Sequence, residues 1–286
     1  MITLSTEILK EYQEKTFRTN KTARLRTPQQ AVDFVNERGF IFFWPVKGIS
    51  MPSLWCGVAG DRVVADAHDD PGHISWGWKD QMLDKRVWYY GRILRKRNTI
   101  ISLKTLPYFY ALSPNFGEPE LEIIDQYQAG LIPLEVKLIF EALHNKGPLD
   151  SISLRREAHL SGPTSNTPFN RALDILQRDF KVMPTAIAEV GTWKYAFVYD
   201  LTHRYHPELL EQSRFISENQ ARDHLVTSYL NSVGAATEKQ VQTLFGWTQP
   251  ETQNAILHLQ EKGFLTINVQ VDNYSTQHCC LTSLVK

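Results

Sequence analysis

Between Asp61 and Asp80 the chain gathers the side chains best suited to chemistry: the carboxylates Asp66, Asp69 and Asp70, the imidazoles His68 and His73, and the indoles Trp76 and Trp78. Pro71-Gly72 favours a turn, which would bring His68, Asp69, Asp70 and His73 around one loop. A carboxylate so placed can act as general base on a water, and Asp66, Asp69 and Asp70 are the expected catalytic groups. Trp76 and Trp78 are the expected platforms for stacking a base. Carboxylate and imidazole at this spacing can also coordinate a metal. No further Cys or His cluster completes a ligand set, so neither a metal nor a cofactor is expected. Asp and His also fill turns for purely structural reasons.

Charge is unevenly spread around this segment. From Lys85 to Gly117 there is no acidic residue, while Lys85, Arg86, Arg92, Arg95, Lys96, Arg97 and Lys104 are all cationic. Trp88, Tyr89, Tyr90, Tyr108, Phe109 and Tyr110 are interleaved with them. A basic stripe with aromatics is the footprint of a protein that follows a phosphate backbone, with Arg92, Arg95, Lys96 and Arg97 as the expected contacts. Taken alone, the aromatics read as the core of a strand or helix. Lys10, Lys15, Arg18, Lys21, Arg24 and Arg26 form an earlier basic stretch that faces only Glu11 and Glu14. Acidic segments at 61–84 and 118–125 compensate. The balance of 31 Lys+Arg against 31 Asp+Glu is therefore an average, and it does not exclude a polyanionic partner.

The elements that position these residues show through an internal repeat. Leu138-Ile139-Phe140-Glu141-Ala142-Leu143 followed by Gly147-Pro148-Leu149-Asp150 matches Leu225-Val226-Thr227-Ser228-Tyr229-Leu230 followed by Gly234-Ala235-Ala236-Thr237. Ala172 to Gln177 likewise matches Ala255 to Gln260, with the turn-forming stretch 161–166 accounting for a longer loop in the first copy. Each copy reads as three helices and a β-hairpin. In the first, Leu134, Leu138, Ile139, Ala142 and Leu143 form a helical stripe ended by Gly147, and Asp150 or Ser151 caps the next helix. Pro168 opens a third helix with Phe169, Ala172, Leu173, Leu176 and Phe180 inward. The β-rich flanks around Val190-Gly191-Thr192 give the hairpin.

Three helices and a hairpin make a winged helix, so the expected fold class is mainly α with small β-hairpins (α+β), built from tandem winged-helix domains. The expected division is 1–117 as an amino-terminal α/β region of degenerate winged-helix type, 118–206 as one winged helix and 207–286 as the next. In the amino-terminal region, Thr27 to Arg38 reads as a helix and Gly39 to Val46 as a buried strand. The third helix of the first copy would show Asn170, Arg171, Asp174, Gln177 and Arg178 outward, with Arg155 and Arg156 on the helix before. Arg155, Arg156, Asn170 and Arg171 are thus expected DNA contacts. The alternative is the solvated face of an amphipathic helix. In the second copy the corresponding surface is nearly neutral and reads as structural.

Composition narrows the classes further. A chain of 286 residues with 42% hydrophobic and 22% charged residues suits a globular protein of about two domains. The longest strongly apolar run, Gly39 to Trp44, is far shorter than a membrane span. Cys56 and the adjacent Cys279 and Cys280 make no disulfide framework. The first residues carry no secretory pattern, and cytoplasm is the expected location.

The order from Gly147 to Leu265, with Tyr199-Asp200-Leu201, His203-Arg204-Tyr205-His206-Pro207-Glu208 and Phe245-Gly246, resembles the crosslink-repair DNA glycosylases of tandem winged-helix type (AlkZ/YcaQ-like). The Lys85 to Leu112 stretch is also similar to that family. The resemblance implies a basic channel for double-stranded DNA and hydrolysis of the N-glycosidic bond of an alkylated or crosslinked purine. It further implies a Gln-apolar-Gln or Gln-apolar-Asp motif in the amino-terminal third, and this chain lacks one at that place. Gln126-Tyr127-Gln128, Gln240-Val241-Gln242 and Gln270-Val271-Asp272 match it formally elsewhere. A carboxy-terminal β-domain of the active enzymes would find no room after the second repeat. Two functions are expected: a DNA-repair glycosylase, or a non-catalytic winged-helix protein that binds DNA or a protein partner in regulation.

Overall fold

The computed structural model describes residues 2–115 and 117–285. The chain starts with a short strand β1 (Thr3–Leu4) and helix α1 (Thr6–Thr16). A first unit follows, comprising α2 (Pro28–Arg38), β2 (Phe40–Phe42), α3 (Leu54–Ala59), α4 (Ile74–Leu83), β3 (Trp88–Arg92) and β4 (Asn98–Ser102). Helices α5 (Leu106–Ala111) and α6 (Pro119–Gln128) lead to the second unit. This unit comprises α7 (Leu134–Lys146), β5 (Leu149–Asp150), α8 (Ser151–Glu157), α9 (Asn166–Arg178), β6 (Val182–Ala188) and β7 (Ala196–Leu201). After α10 (Thr202–Tyr205) and α11 (Leu209–Ser213), the third unit has α12 (Glu218–Val233), β8 (Ala235–Ala236), α13 (Glu238–Phe245), α14 (Gln249–Glu261), β9 (Leu265–Val271) and β10 (Gln277–Leu281).

All three units share one order, helix–strand–helix–helix–strand–strand, and one sheet arrangement: β2-β4-β3, β5-β7-β6 and β8-β10-β9, with β1 added parallel beside β9. This is the winged-helix arrangement, and the fold is mainly α with small sheets. Local chemistry sets many boundaries. Thr27, Ser53, Asp150, Ser217, Thr237 and Thr248 each accept a first-turn N–H of the helix they precede. Gly39 and Gly234 end the first helices of units one and three at φ +81 and +78, a region that costs other residues steric energy.

Several expectations change. The strand foreseen over Gly39–Val46 is only Phe40–Phe42, because Pro45 cannot donate to a ladder and the chain turns away with Trp44 half-exposed. Residues 3–16, foreseen within an amino-terminal region of 1–117, pack on the third unit: Leu4 and Leu9 join Ala235, Val269, Val271 and Cys280 in one cluster. The largest core draws on all units, with Phe40, Tyr89 and Ile101 meeting Phe180 and Met183, and then Leu225, Tyr229 and Val241. Among the described residues no helix is long and apolar enough to cross a membrane.

Candidate nucleic-acid interface and aromatic pocket

Helix α4 and the loop preceding it build an open pocket of about 610 Å³, lined by Trp44, Val64, Ala65, Asp66, His68, His73 and Trp76. Its wall is aromatic. Trp76 lies 5.6 Å from Trp44 and 6.0 Å from Phe43, ring centre to ring centre. The buried Trp44 indole N–H has no hydrogen-bond partner among the described residues. Of the three expected catalytic carboxylates, only Asp66 lines this pocket. Asp69 is exposed on the loop. Asp70 is spent on structure: its two oxygens lie 2.5 and 3.0 Å from Arg62, and one also caps Gly72 N–H at 2.7 Å. The Arg62 guanidinium and the Gly72 amide hold its carboxyl below the usual range. His73 is 2.8 Å from the Ala65 carbonyl through Nε2, and no group of three potential metal ligands occurs among the described residues.

Trp78 is not a stacking platform. Only Trp76 is at the surface, because residues two apart on a helix point to different faces. Trp78 is 4% exposed, packs among Phe34, Leu54 and Met82, and does not line this pocket.

Behind Trp76 lies a network that the sequence did not suggest. Lys79, 1% exposed, pairs with Asp80 at 2.6 Å. The wing of the second unit, between β6 and β7, brings Tyr195 onto it. The Tyr195 hydroxyl accepts from Lys79 at 2.9 Å and from the Trp76 indole at 3.1 Å, and donates to Asp80 at 3.0 Å. Rings of Phe43, Trp76, Tyr90, Tyr195 and Phe197 surround the ammonium at 4.6 to 5.7 Å. Burial pulls Lys79 below the ordinary lysine range, opposed by Asp80. Burial and the same carboxylate push the Tyr195 phenol well up, so it stays protonated. The sequence separation of 119 between Trp76 and Tyr195 left no local signal.

A second cleft of about 470 Å³ shares Trp44 with the pocket and is lined by Phe43, Pro45, Val46, Lys47, Arg92, Lys96, Arg97 and Asn98. Arg95, Lys96 and Arg97 are exposed at the tip between β3 and β4. Arg95 and Lys96 both take positive φ, 54° and 56°, a conformation seldom used by side-chain-bearing residues. That turn projects three cations from the first unit's wing. Arg92 is half-buried and bonded to Asp174 at 2.7 Å. The interleaved aromatics Trp88, Tyr89, Tyr90, Phe109 and Tyr110 are core.

Helix α9, the third of its unit, leans on β3. Asp174 and Gln177, expected outward, are turned inward: Asp174 holds Arg92, and Gln177, 3% exposed, accepts the Arg92 amide at 3.1 Å. Asn170, Arg171 and Arg156 are exposed. Arg155 stacks over Phe169 at 3.9 Å and donates to Asn166. The formal glutamine motifs lie elsewhere. Gln126-Tyr127-Gln128 ends α6, Gln240 caps α13 through Thr237, and Gln270 bonds the turn after β9.

Comparison with known proteins agrees with this architecture. No curated protein sequence matches the chain. The solved structure of the Streptomyces sahachiroi DNA glycosylase AlkZ is similar at a TM-score of 0.59 and 13% identity, covering 99% of this chain and 71% of that one. A family model described as AlkZ related matches residues 25–246, from before α2 of the first unit through α13 of the third. The chain therefore belongs to the AlkZ-related family.

Proposed function

We propose that this protein binds double-stranded DNA and acts in repair as a relative of glycosylases that excise alkylated or crosslinked purines, in the cytoplasm. The three winged-helix units, taken as 1–117, 118–206 and 207–286, would serve as one body for that purpose. The observation that carries the reading is the shared Trp44 wall, which sets a cationic cleft beside an aromatic pocket holding Asp66. Phosphates would follow Lys47, Arg95, Lys96 and Arg97, with Arg155, Arg156, Asn170 and Arg171 on the second unit as further contacts. Arg92 would help shape the cleft. An unstacked base would lie against Trp76 and Trp44, where aromatic faces accept any base.

In the reaction, Asp66 takes a proton from water as its oxygen bonds C1′. The C1′–N bond breaks, and its electron pair leaves with the cationic alkylated purine, which needs no proton. The test is a duplex carrying one N7-alkylguanine. Abasic sites formed by the wild type, and at least about 100-fold more slowly by Asp66→Asn, are expected. An equal rate in the variant removes Asp66 from this role.

The engagement of Asp70 with Arg62 and the glutamine matches outside the pocket favour a second reading, a DNA-binding protein without chemistry. In that case duplex binding weakens steeply with salt and no abasic product forms.

A further inference from the structure

Beside the loop that carries Asp66 lies another cleft, about 380 Å³, lined by Arg24, Arg26 and Arg62 beside Gly72, Ile74 and Trp78. Its arginines are held by the fold. The segment is pinned where Leu25 N–H bonds Gly57 O at 2.8 Å and the Leu25 side chain enters the core. Arg24 and Arg26 flank this pinned residue, and both line the cleft. The Arg24 guanidinium lies against Gly60 so closely that a Cβ there would overlap it. Gly72 makes the matching space for Arg62: a Cβ would stand 3.0 Å from Nη2 and 2.7 Å from the Trp55 ring. Arg62 is clamped by Asp70 and lies 4.8 Å over that ring. Arg24 and Arg26 reach only the Thr19 and Lys21 carbonyls, at 3.4 Å, and neither has a carboxylate partner among the described residues. Three guanidinium groups thus face one carboxylate.

The position of this cleft matters as much as its charge. Pro71, Gly72 and Ile74 close it, while His73 from the same turn lines the aromatic pocket. The pocket therefore adjoins two cationic clefts, the one on Lys47, Lys96 and Arg97 and this one. We infer that Arg24, Arg26 and Arg62 form a second phosphate site that holds a backbone phosphodiester on the other side of the nucleotide entering the pocket. The inference rests on the DNA-binding reading above. Guanidinium groups suit it because their forked donors match two phosphate oxygens at once. Grip on both sides of one nucleotide lets backbone contacts offset the cost of unstacking its base.

The experiment compares duplex binding across a salt series for the wild type, Arg24→Gln with Arg26→Gln, Arg26→Gln alone, and a triple Gln variant at Arg95, Lys96 and Arg97. Arg62 is left intact because it fastens the loop. The double variant is expected to bind about tenfold more weakly, with the slope of log K on log salt reduced by about 1 to 2. The single change at exposed Arg26 should show part of this loss if the double variant folds poorly. An unchanged affinity and slope in both, alongside loss in the triple variant, overturns the second site and leaves DNA binding standing. If even the wild type ignores duplex, the DNA reading fails and inorganic phosphate decides. A thermal midpoint raised by about 10 mM phosphate over chloride of equal ionic strength, in the wild type but not the double variant, supports the cleft. Equal responses overturn it.

Discussion

Tyr195 shows how much one side chain can hold in place. Its hydroxyl fills both acceptor positions, from Lys79 and Trp76, and spends its proton on Asp80. The buried ammonium needs those partners, since a charge without them costs several kcal/mol. Tyr195→Phe keeps the ring within the cage and removes the three bonds. The expected outcome is a loss of about 1–3 kcal/mol in denaturant unfolding, from buried donors left unsatisfied. The indole of Trp76, 37% exposed, loses its hydrogen bond to the phenol at the same time, so its fluorescence anisotropy should fall. An unchanged unfolding midpoint would mean that water replaces the phenol at no cost. Trp193, on the same wing, is 89% exposed.

At the scale of elements, α1 serves chiefly as a cap on α12. The last carbonyls of any helix lack intrahelical partners. Here Tyr12 donates to Asn231 O at 2.8 Å, Gln13 to Val233 O at 2.9 Å and Thr16 to Ser232 O at 2.6 Å, while Arg38 from α2 adds a second bond to Asn231 O. Gln13→Leu with Thr16→Val keeps bulk and removes two caps. A loss of about 2 kcal/mol is expected, with faster amide exchange concentrated at 230–236. Exchange raised evenly over all three units would contradict a local cap. This arrangement also marks where sequence reading stops. Pro133, Gly147, Pro168 and Pro250 punctuate helices through their own backbone preferences, so the repeat was legible. Strands β5 and β8, two residues each, exist only because β7 and β10 pair with them. The pocket was half legible. Asp66 and Trp76 stand out by type, whereas Trp44 was hidden in an apolar run and Tyr195 arrives from another unit. Helical spacing alone separates Trp76 from Trp78.

Over the whole molecule, one core cluster draws on all three units, and the histidines at their junctions report on it. His206, 1% exposed at its side chain, follows α10 beside Tyr89 and Tyr205. Its Nδ1 stands 3.3 Å from Glu208, Arg86 is the other charge acting on it, and Nε2 is buried without a partner among the described residues. His224 stacks on Tyr108 at 3.7 Å, joining α12 to α5. Burial lowers both below the ordinary value, as it does His203 and His278. Above the unfolded value of about 6.5 both states are neutral at these rings and nothing changes. As pH falls below it, the unfolded chain takes up protons that the folded one refuses, so stability drops by up to about 1.4 kcal/mol per pH unit for each excluded proton. Unfolding midpoints in urea should therefore fall between about pH 6.5 and 5, before most carboxylates titrate. His206→Gln should flatten that slope by about one proton's share, because its ring has the least access to water. A pH-independent midpoint over this window, or an equal slope in the variant, would show that the junctions open to admit water before the body unfolds.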